Sequence, residues 1–159
     1  MEIIDNFLPQ EEFQKIKESI IYSSQVPFYF NYKVASDKST SDDFYFTHNV
    51  YINGCPNSDF FPTIQPLVTK LDIRFLNRIK INCYPRTEKI ITHDVHVDMD
   101  IPHKGAIYSL NTCNGGTYIS DTFVPSVENR ILLFDPSKPH QSTNCTDKQA
   151  RFNININYK

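Results

Sequence analysis

The sequence predicts an α+β protein that is mainly β, with a jelly roll or β-sandwich as its main body. Helical periodicity is clear only near the N-terminus. Almost all of the chain after Asp72 consists of short segments rich in β-branched and aromatic residues, and turn-forming pairs such as Asn53-Gly54 and Asp135-Pro136 separate them. One or two helices followed by about eight strands are typical of a β body with supporting helices.

The length and charge of the chain limit the classes of protein it can represent. Its 159 residues predict a single domain over residues 1–159. The 16 Lys and Arg residues against 18 Asp and Glu residues give a net charge of −2, which argues against a nucleic-acid or anionic-membrane partner. The first six residues show no secretory signal, and the apolar run Ile131–Phe134 is too short to cross a bilayer. We therefore expect a cytoplasmic protein with free thiols and no membrane partner.

Two helices are predicted in the first half of the chain. The first follows Pro9, because three apolar residues recur there at i, i+3 and i+7, namely Phe13, Ile16 and Ile20. The second, over residues 58–71, has a weaker pattern because Pro62 and Pro66 interrupt it.

The strand candidates are short and bounded by turn residues. They cover residues 28–34, 50–52, 73–84, 95–99, 106–111, 117–123, 130–134 and 151–158. The polar and aromatic stretch 35–46 is expected to be a loop, either solvated or a mobile lid over a site.

Two of these strands carry an unusually polar face. In the last strand, one face holds Arg151, Asn153, Asn155 and Asn157, and the segment around residues 78–84 repeats the alternation with Arg78, Lys80, Asn82 and Tyr84. An antiparallel strand often turns such a face to solvent. Two such strands, each near a candidate site residue, favour a polar cavity instead.

A candidate metal site begins with His96 and Asp98. Residues two apart in a strand point the same way, so both side chains can reach one ion. With one more histidine they form a facial triad, which suits non-haem Fe(II). His140, 44 residues further on, is the candidate third ligand. Arg151 follows at the start of the last strand, where it could bind a carboxylate with both arms of its guanidinium.

Other residues compete for these roles. His93 and His103 flank the pair and either could be the ligand, although a regular strand turns His93 away from Asp98. Asp94 and Asp100 share the face of His96, and we interpret them as lying on the solvent side or behind the ligands.

Several motifs in the second half of the chain, taken in order, resemble those of a known family. Over residues 79–158 it is similar to the Fe(II)- and 2-oxoglutarate-dependent oxygenases, especially the prolyl-4-hydroxylase-like branch. The ordered motifs that carry the resemblance are Asn82-Cys83-Tyr84-Pro85, His96-Val97-Asp98, Ile107-Tyr108-Ser109-Leu110-Asn111, Asn114-Gly115-Gly116, Arg130-Ile131-Leu132-Leu133-Phe134, His140 and Arg151. The opening Ile3-Ile4-Asp5-Asn6-Phe7-Leu8 is also similar to the family's N-terminal pattern.

The chain departs from the family pattern at three positions. Thr117 follows the glycine pair in place of an acidic residue, and Ser109 stands where this branch often has an aromatic hydroxyl. Asn129 replaces the glycine before Arg130, which is a mild change because asparagine tolerates the left-handed backbone conformation.

The resemblance implies a double-stranded β-helix, or jelly roll, that holds Fe(II) through His96, Asp98 and His140. It also implies 2-oxoglutarate as cosubstrate and dioxygen as oxidant, with release of succinate and CO2. The cosubstrate's distal carboxylate would bind Arg151, with Tyr84, Ser109 or Tyr108 adding a hydrogen bond and Asn153 nearby. On the substrate side the candidates are Lys80, Asn82 and Asn155. The expected activity is hydroxylation of a prolyl or other peptide side chain.

Four alternatives differ from this expectation. One is an oxygenase that acts on a small free metabolite. Another is a catalytically inactive jelly-roll binding module. The presence of all four key residues, His96, Asp98, His140 and Arg151, argues against it. Oxidative nucleic-acid demethylases carry a second arginine six residues after the first, where this chain has Asn157. A cupin metal enzyme would have an HxH motif and a downstream glutamate, neither of which is present.

Overall fold

The structure is a computed structural model that describes residues 1–35, 43–98 and 102–159. Two α-helices, α1 (Gln10–Lys17) and α2 (Phe61–Lys70), lie in the first half of the chain, and a π-helical turn, Glu18–Tyr22, continues α1. The strands are β1 (Glu2–Ile4), β2 (Tyr29–Asn31), β3 (Tyr45–Ile52), β4 (Cys55–Pro56), β5 (Leu76–Pro85), β6 (Lys104–Ser109), β7 (Gly116–Ile119), β8 (Thr122–Pro125), β9 (Ile131–Phe134), β10 (His140–Ser142) and β11 (Ala150–Tyr158).

The strands form two antiparallel sheets. The larger sheet has the order β1-β9-β6-β11-β5-β3-β2, with β4 paired to β3, and the smaller sheet has the order β10-β7-β8. Two isolated bridges, Thr92 with Thr143 and His96 with His140, add the segment after β5 to the edge of the smaller sheet. This is the jelly-roll architecture that the sequence predicted.

The hydrophobic core lies between the helices and one face of the larger sheet. Phe13 and Ile16 of α1 and Ile64 of α2 are buried against Ile154 and Ile156 of β11, and all five are at most 1% exposed. Because side chains alternate along a strand, the same packing turns the polar residues of β11 to the opposite face, towards the smaller sheet. The core therefore determines which face of the sheet carries the site.

The helices and most strands appear where the sequence predicted them, but the single strand predicted over residues 117–123 is wrong. Residues 117–123 form two strands rather than one, because Ser120 has a left-handed backbone (φ 52°) that turns β7 into β8. The short strands β1, β4 and β10 were missed. In α2, Pro62 lies in the first turn, where its missing N–H group costs no helical hydrogen bond.

Two other expectations need correction. The strand predicted over residues 95–99 is reduced to the single bridge at His96, and residue 99 lies outside the described part of the chain. In the predicted loop 35–46, residues 36–42 also lie outside the described residues, whereas Tyr45 and Phe46 belong to β3. Neither helix in the described residues has the length and apolar character needed to cross a membrane.

Candidate active site

A polar cavity lies between the two sheets. The larger sheet contributes Tyr45, Lys80, Asn82, Tyr84, Ile107, Asn153 and Asn155, the smaller one contributes Thr117, His140 and Ser142, and Val34, His96 and Asp98 complete the lining. The polar faces of β5 and β11 thus meet inside the protein, as the sequence suggested. Asn82 and Asn153 are each no more than 3% exposed, and the amide of Asn82 donates a hydrogen bond to Oδ1 of Asn153 (2.8 Å).

Three side chains at one end of this cavity form a group that could hold a metal ion. The Nε2 atoms of His96 and His140 both lie 3.8 Å from Oδ1 of Asp98. One ligand atom from each residue falls within 4.8 Å of the other two. Although 44 residues separate the histidines in sequence, reciprocal backbone hydrogen bonds of 2.9 and 3.0 Å join them. The three predicted ligands are therefore brought together by backbone pairing.

Backbone carbonyls contact both imidazoles on the Nδ1 side. Nδ1 of His140 lies 3.0 Å from the carbonyl oxygen of Lys138, and Nδ1 of His96 lies 3.3 Å from that of Asp94. A carbonyl only accepts hydrogen bonds, so these contacts favour the tautomer with the proton on Nδ1. The Nε2 lone pairs are then available to a metal ion, as is usual for histidine ligands. Burial also lowers the pKa of His96, with His140 as a further cause, and this favours the neutral ring.

The carboxylate of Asp98 is held ionised by its neighbours. The amide groups of Asn157 and Asn155 donate to Oδ2 at 2.8 and 3.4 Å, and Nη2 of Arg78 lies 3.4 Å from Oδ1. Burial acts to raise the pKa of Asp98, but Arg78 and then Asn157 outweigh it and hold the pKa below its ordinary value. The group thus offers two imidazole nitrogens and one carboxylate oxygen, a donor set that suits Fe(II).

Arg151 is a buried cation beside the same cavity, because it contacts Thr117 and Tyr84, which line it. It is 1% exposed, and its Nη1 and Nη2 atoms donate to the carbonyl oxygen of Thr143 (2.8 Å) and to Oγ1 of Thr117 (2.9 Å). Both acceptors are neutral, and its Nε has no hydrogen-bond partner among the described residues. Burial lowers the pKa of Arg151, which means that burial disfavours its positive charge. A bound carboxylate would stabilise that charge.

Three stacked rings support the guanidinium. Tyr84 stacks on Tyr45 at a centroid distance of 5.4 Å and on His93 at 5.3 Å, and the Arg151 guanidinium carbon lies 5.2 Å from the Tyr84 centroid. His93 is also held through Nδ1, 2.9 Å from the hydroxyl oxygen of Ser142. His93 is therefore part of this stack and not of the metal group, as the alternation argument expected.

Of the remaining residues that the sequence suggested for cosubstrate or substrate binding, some line the cavity and others are buried outside it. Lys80 lines the cavity with Nζ 3.2 Å from the Tyr45 hydroxyl, and burial, followed by Arg78, lowers its pKa to about 8. Ser109 is buried opposite Asn153 in the β6–β11 ladder but is not among the residues that line the cavity. The Tyr108 ring lies in the core on the other face, where its hydroxyl donates to Asn129 (2.7 Å).

The other histidine and acidic candidates in the described residues do not belong to the metal group. His103 is buried with Nε2 3.3 Å from the amide nitrogen of Asn157, so it lies behind Asp98. The backbone of Asp94 contacts His96, and Asp100 lies outside the described residues. Asn129 has the left-handed conformation (φ 59°) that its place in the sequence motif suggested.

Sequence reasoning missed several residues that complete the site. Thr117 was noted only as a departure from the family pattern, although it holds Arg151. Asn157 and Arg78 were noted for their strand faces, but their contact with Asp98 was not foreseen. For Arg78 and Asn157, the available signal was the alternation of polar and apolar residues along β5 and β11. Tyr45 carried no signal, since it was assigned to a loop.

Comparison with solved structures identifies the fold. The chain matches a prolyl hydroxylase from Trichoplax adhaerens, solved in complex with a hypoxia inducible factor peptide fragment, with a TM-score of 0.68 and 20% identity over 99% of this chain and 82% of that one. It matches a 2OG-Fe(II) oxygenase family protein from Burkholderia pseudomallei with a TM-score of 0.68 and 10% identity over 99% and 84% of the two chains. A Pseudomonas putida prolyl-4-hydroxylase gives a TM-score of 0.59 and 10% identity over 99% and 91%.

Neither a scan against protein-family models nor a search of curated proteins finds a match. The chain therefore has the fold of the prolyl-hydroxylase-like 2-oxoglutarate oxygenases, at sequence identities that show the fold alone.

Proposed function

We propose that this protein is an Fe(II)- and 2-oxoglutarate-dependent dioxygenase. One observation carries the proposal. A His-Asp-His group lines a polar cavity, and a buried arginine without a carboxylate partner among the described residues contacts Thr117 and Tyr84 of that lining, within a fold shared with such enzymes. The cavity also contains buried polar atoms without a hydrogen-bond partner in the described chain, including Oδ1 of Asn82 and Oδ1 of Asn155. Such atoms are expected where a polar ligand completes a site.

His96, Asp98 and His140 would hold the iron. Together with 2-oxoglutarate and dioxygen, the metal would supply the oxidising chemistry that converts the cosubstrate to succinate and CO2 and hydroxylates the substrate. The work of the protein is to orient the reactants. Asn157, Asn155 and Arg78 fix the Asp98 carboxylate, and backbone carbonyls fix the two imidazoles.

Arg151 would bind the distal carboxylate of 2-oxoglutarate. Its Nε is free of other hydrogen bonds in the described structure, and Thr117 and Thr143 hold the two terminal nitrogens in place. The Tyr84 ring beside the guanidinium limits its motion and excludes water. Buried between two sheets, this charge pair would be stronger than the same pair at a surface.

For the substrate we propose a peptide that presents a prolyl side chain. The support is the fold shared with two prolyl hydroxylases, one of them solved with a peptide fragment. Lys80 and Asn82 line the cavity beside Tyr45 and are the candidates for contact with that substrate. A small free metabolite is the alternative outcome of the test.

The test is a turnover assay on the Fe(II)-loaded protein with 2-oxoglutarate and dioxygen. Succinate is measured by mass spectrometry, and a library of proline-containing peptides and a set of metabolites are screened for the mass gain of one oxygen atom. We expect substrate-dependent succinate and an oxidised peptide, both absent in Asp98→Ala. An oxidised metabolite with unmodified peptides would overturn the substrate class. Iron-independent succinate, or succinate from Asp98→Ala at the wild-type rate, would overturn the enzyme class.

A further inference from the structure

A pair of thiols lies directly behind Arg151, outside the proposed active site. Cys113 precedes β7 and Cys145 follows β10, 32 residues later in the sequence. Both are free cysteines, and they are 6% and 0% exposed. Their sulfur atoms and a carboxylate oxygen of Asp147 all lie within 4.8 Å of one another. The fold therefore brings together two thiols that the sequence spacing does not connect.

The two chain segments that carry these thiols are already fixed against each other. The hydrogen bonds that join them include Gly116 N to Thr143 Oγ1 (2.9 Å), Thr143 N to Gly116 O (3.0 Å), Thr146 N to Asn114 Oδ1 (2.9 Å) and Asn114 Nδ2 to Thr146 Oγ1 (2.7 Å). The backbones are in contact, since a Cβ at Gly115 would lie 2.0 Å from the carbonyl oxygen of Asn144. A sulfur–sulfur bond would thus need motion of the side chains and little motion of the backbone.

The two thiols differ in reactivity. A hydrogen bond from Cys145, the backbone N–H of Gly115 and the nearby charge of Arg151 outweigh burial and lower the pKa of Cys113 to about 6. The same hydrogen bond, together with burial, raises the pKa of Cys145. The hydrogen bond between the two thiols thus favours the thiolate on Cys113, with Cys145 as the protonated partner. The thiolate is the form that reacts with oxidants.

We propose that Cys113 and Cys145 are a redox-active pair that forms a reversible disulfide with hydrogen peroxide as oxidant. The Cys113 sulfur attacks one peroxide oxygen, the O–O bond breaks, and Cys113 becomes a sulfenic acid while hydroxide leaves and takes up a proton to become water. The Cys145 sulfur then attacks the Cys113 sulfur, the S–O bond breaks, and the proton of Cys145 leaves with the hydroxyl group as a second water molecule. The two sulfurs together supply the two electrons that reduce one peroxide, and a dithiol reductant reverses the bond.

A metal ion is the competing use of this cluster. Only Asp147 could add a third ligand within the described residues, and its Oδ1 already accepts a hydrogen bond from the backbone N–H of Asn114 (3.0 Å). Its carboxylate thus caps the neighbouring turn, which favours the disulfide over a metal. Measuring bound zinc alongside disulfide formation distinguishes these two uses.

The disulfide would strengthen the wall that positions Arg151. Arg151 donates to the carbonyl oxygen of Thr143, two residues before Cys145, and a Cβ at Gly115 would lie 3.2 Å from Cδ of Arg151. Closing a loop of this length constrains the unfolded chain, so the oxidised protein should melt at a temperature about 5 °C or more above that of the reduced protein.

The experiment treats the reduced, purified protein with hydrogen peroxide and alkylates the remaining thiols after denaturation. Peptide mass spectrometry should show residues 113 and 145 joined, with the loss of two hydrogen atoms, and dithiothreitol should restore both thiols. The rise in melting temperature should accompany the bond. Neither readout requires iron or 2-oxoglutarate, so the result is independent of the proposed function.

Three variants sharpen the test. Cys55→Ser, which removes an exposed cysteine, is the matched control and should still form the bond. Cys145→Ser should stop at a sulfenic acid on Cys113 that dimedone traps, and Cys113→Ser should leave Cys145 unoxidised. The proposal is overturned if both thiols stay alkylatable in wild type at a peroxide dose that oxidises Cys55 completely. Stoichiometric zinc in the wild-type protein that is absent from Cys113→Ser would also overturn it.

Discussion

Replacing Arg151 with alanine should weaken 2-oxoglutarate binding by at least about 100-fold. The guanidinium is 1% exposed and its two hydrogen-bond acceptors in the described structure are neutral, so a bound carboxylate would form a charged hydrogen bond with it. Removing one member of a buried charge pair costs about 3–5 kcal/mol, chiefly because the other charge stays buried and unpaired. At about 1.4 kcal/mol per factor of ten, this corresponds to roughly 100- to 1000-fold or more in affinity.

The assay is calorimetric titration of 2-oxoglutarate into the anaerobic, Fe(II)-loaded protein. Arg151→Lys should recover only part of the affinity, because lysine keeps the charge but lacks the planar fork. Iron affinity should change much less in both variants, and this also shows that they are folded. Arg130→Ala is the matched control, since Arg130 pairs with Asp5 at the surface through an Nε to Oδ1 contact of 2.6 Å.

A loss of less than about fivefold in Arg151→Ala would refute the reasoning. That value corresponds to about 1 kcal/mol, which is the range of an exposed ion pair. The carboxylate would then bind elsewhere, and Lys80 and Arg78 would be the next cations to test, since Lys80 lines the cavity and Arg78 lies beside Asp98.

Three further variants test the metal group and the sheet that supports it. Asp98→Ala should abolish stoichiometric Fe(II) binding in an anaerobic titration while the circular dichroism spectrum is kept; unchanged iron affinity would show that this residue is not a ligand. Asn157→Leu removes the 2.8 Å donor to the Asp98 carboxylate and should weaken iron binding by about 10- to 100-fold, as expected for loss of a group that orients a ligand. The same affinity as wild type would mean that the hydrogen bond has no role in metal binding. Ile154→Ala, at a side chain that is 0% exposed on the other face of the same strand, should lower the free energy of unfolding in urea by about 2–5 kcal/mol. A loss below about 1 kcal/mol would contradict the core assignment.

Local sequence patterns were sufficient to predict the helices and strands whose periodicity is visible among neighbouring residues. Alternation along residues 151–158 predicted a strand with one polar and one apolar face, and the structure buries both faces, with Asn157 and Ile156 each 0% exposed. Helical spacing of Phe13 and Ile16 likewise predicted a helix with a buried face. The fold class follows from these patterns because each depends only on neighbours in the chain.

Contacts between distant segments could not be predicted in this way. The hydrogen bond from Arg151 to Thr117 spans 34 residues, and the one from Asn157 to Asp98 spans 59. Both depend on how the sheets lie against each other. The turn at Ser120 was missed for a different reason, because serine carries little preference for the left-handed conformation that splits the predicted strand there.

The most direct test of the account is the stoichiometry and order of binding of Fe(II) and 2-oxoglutarate. Under anaerobic conditions, the wild-type protein should bind one Fe(II), and 2-oxoglutarate should bind tightly only after the metal. Asp98→Ala should lose both events, and Arg151→Ala should keep the iron and lose the cosubstrate. Binding of 2-oxoglutarate with equal affinity in the absence of metal, or iron binding that survives the loss of Asp98, would contradict the account.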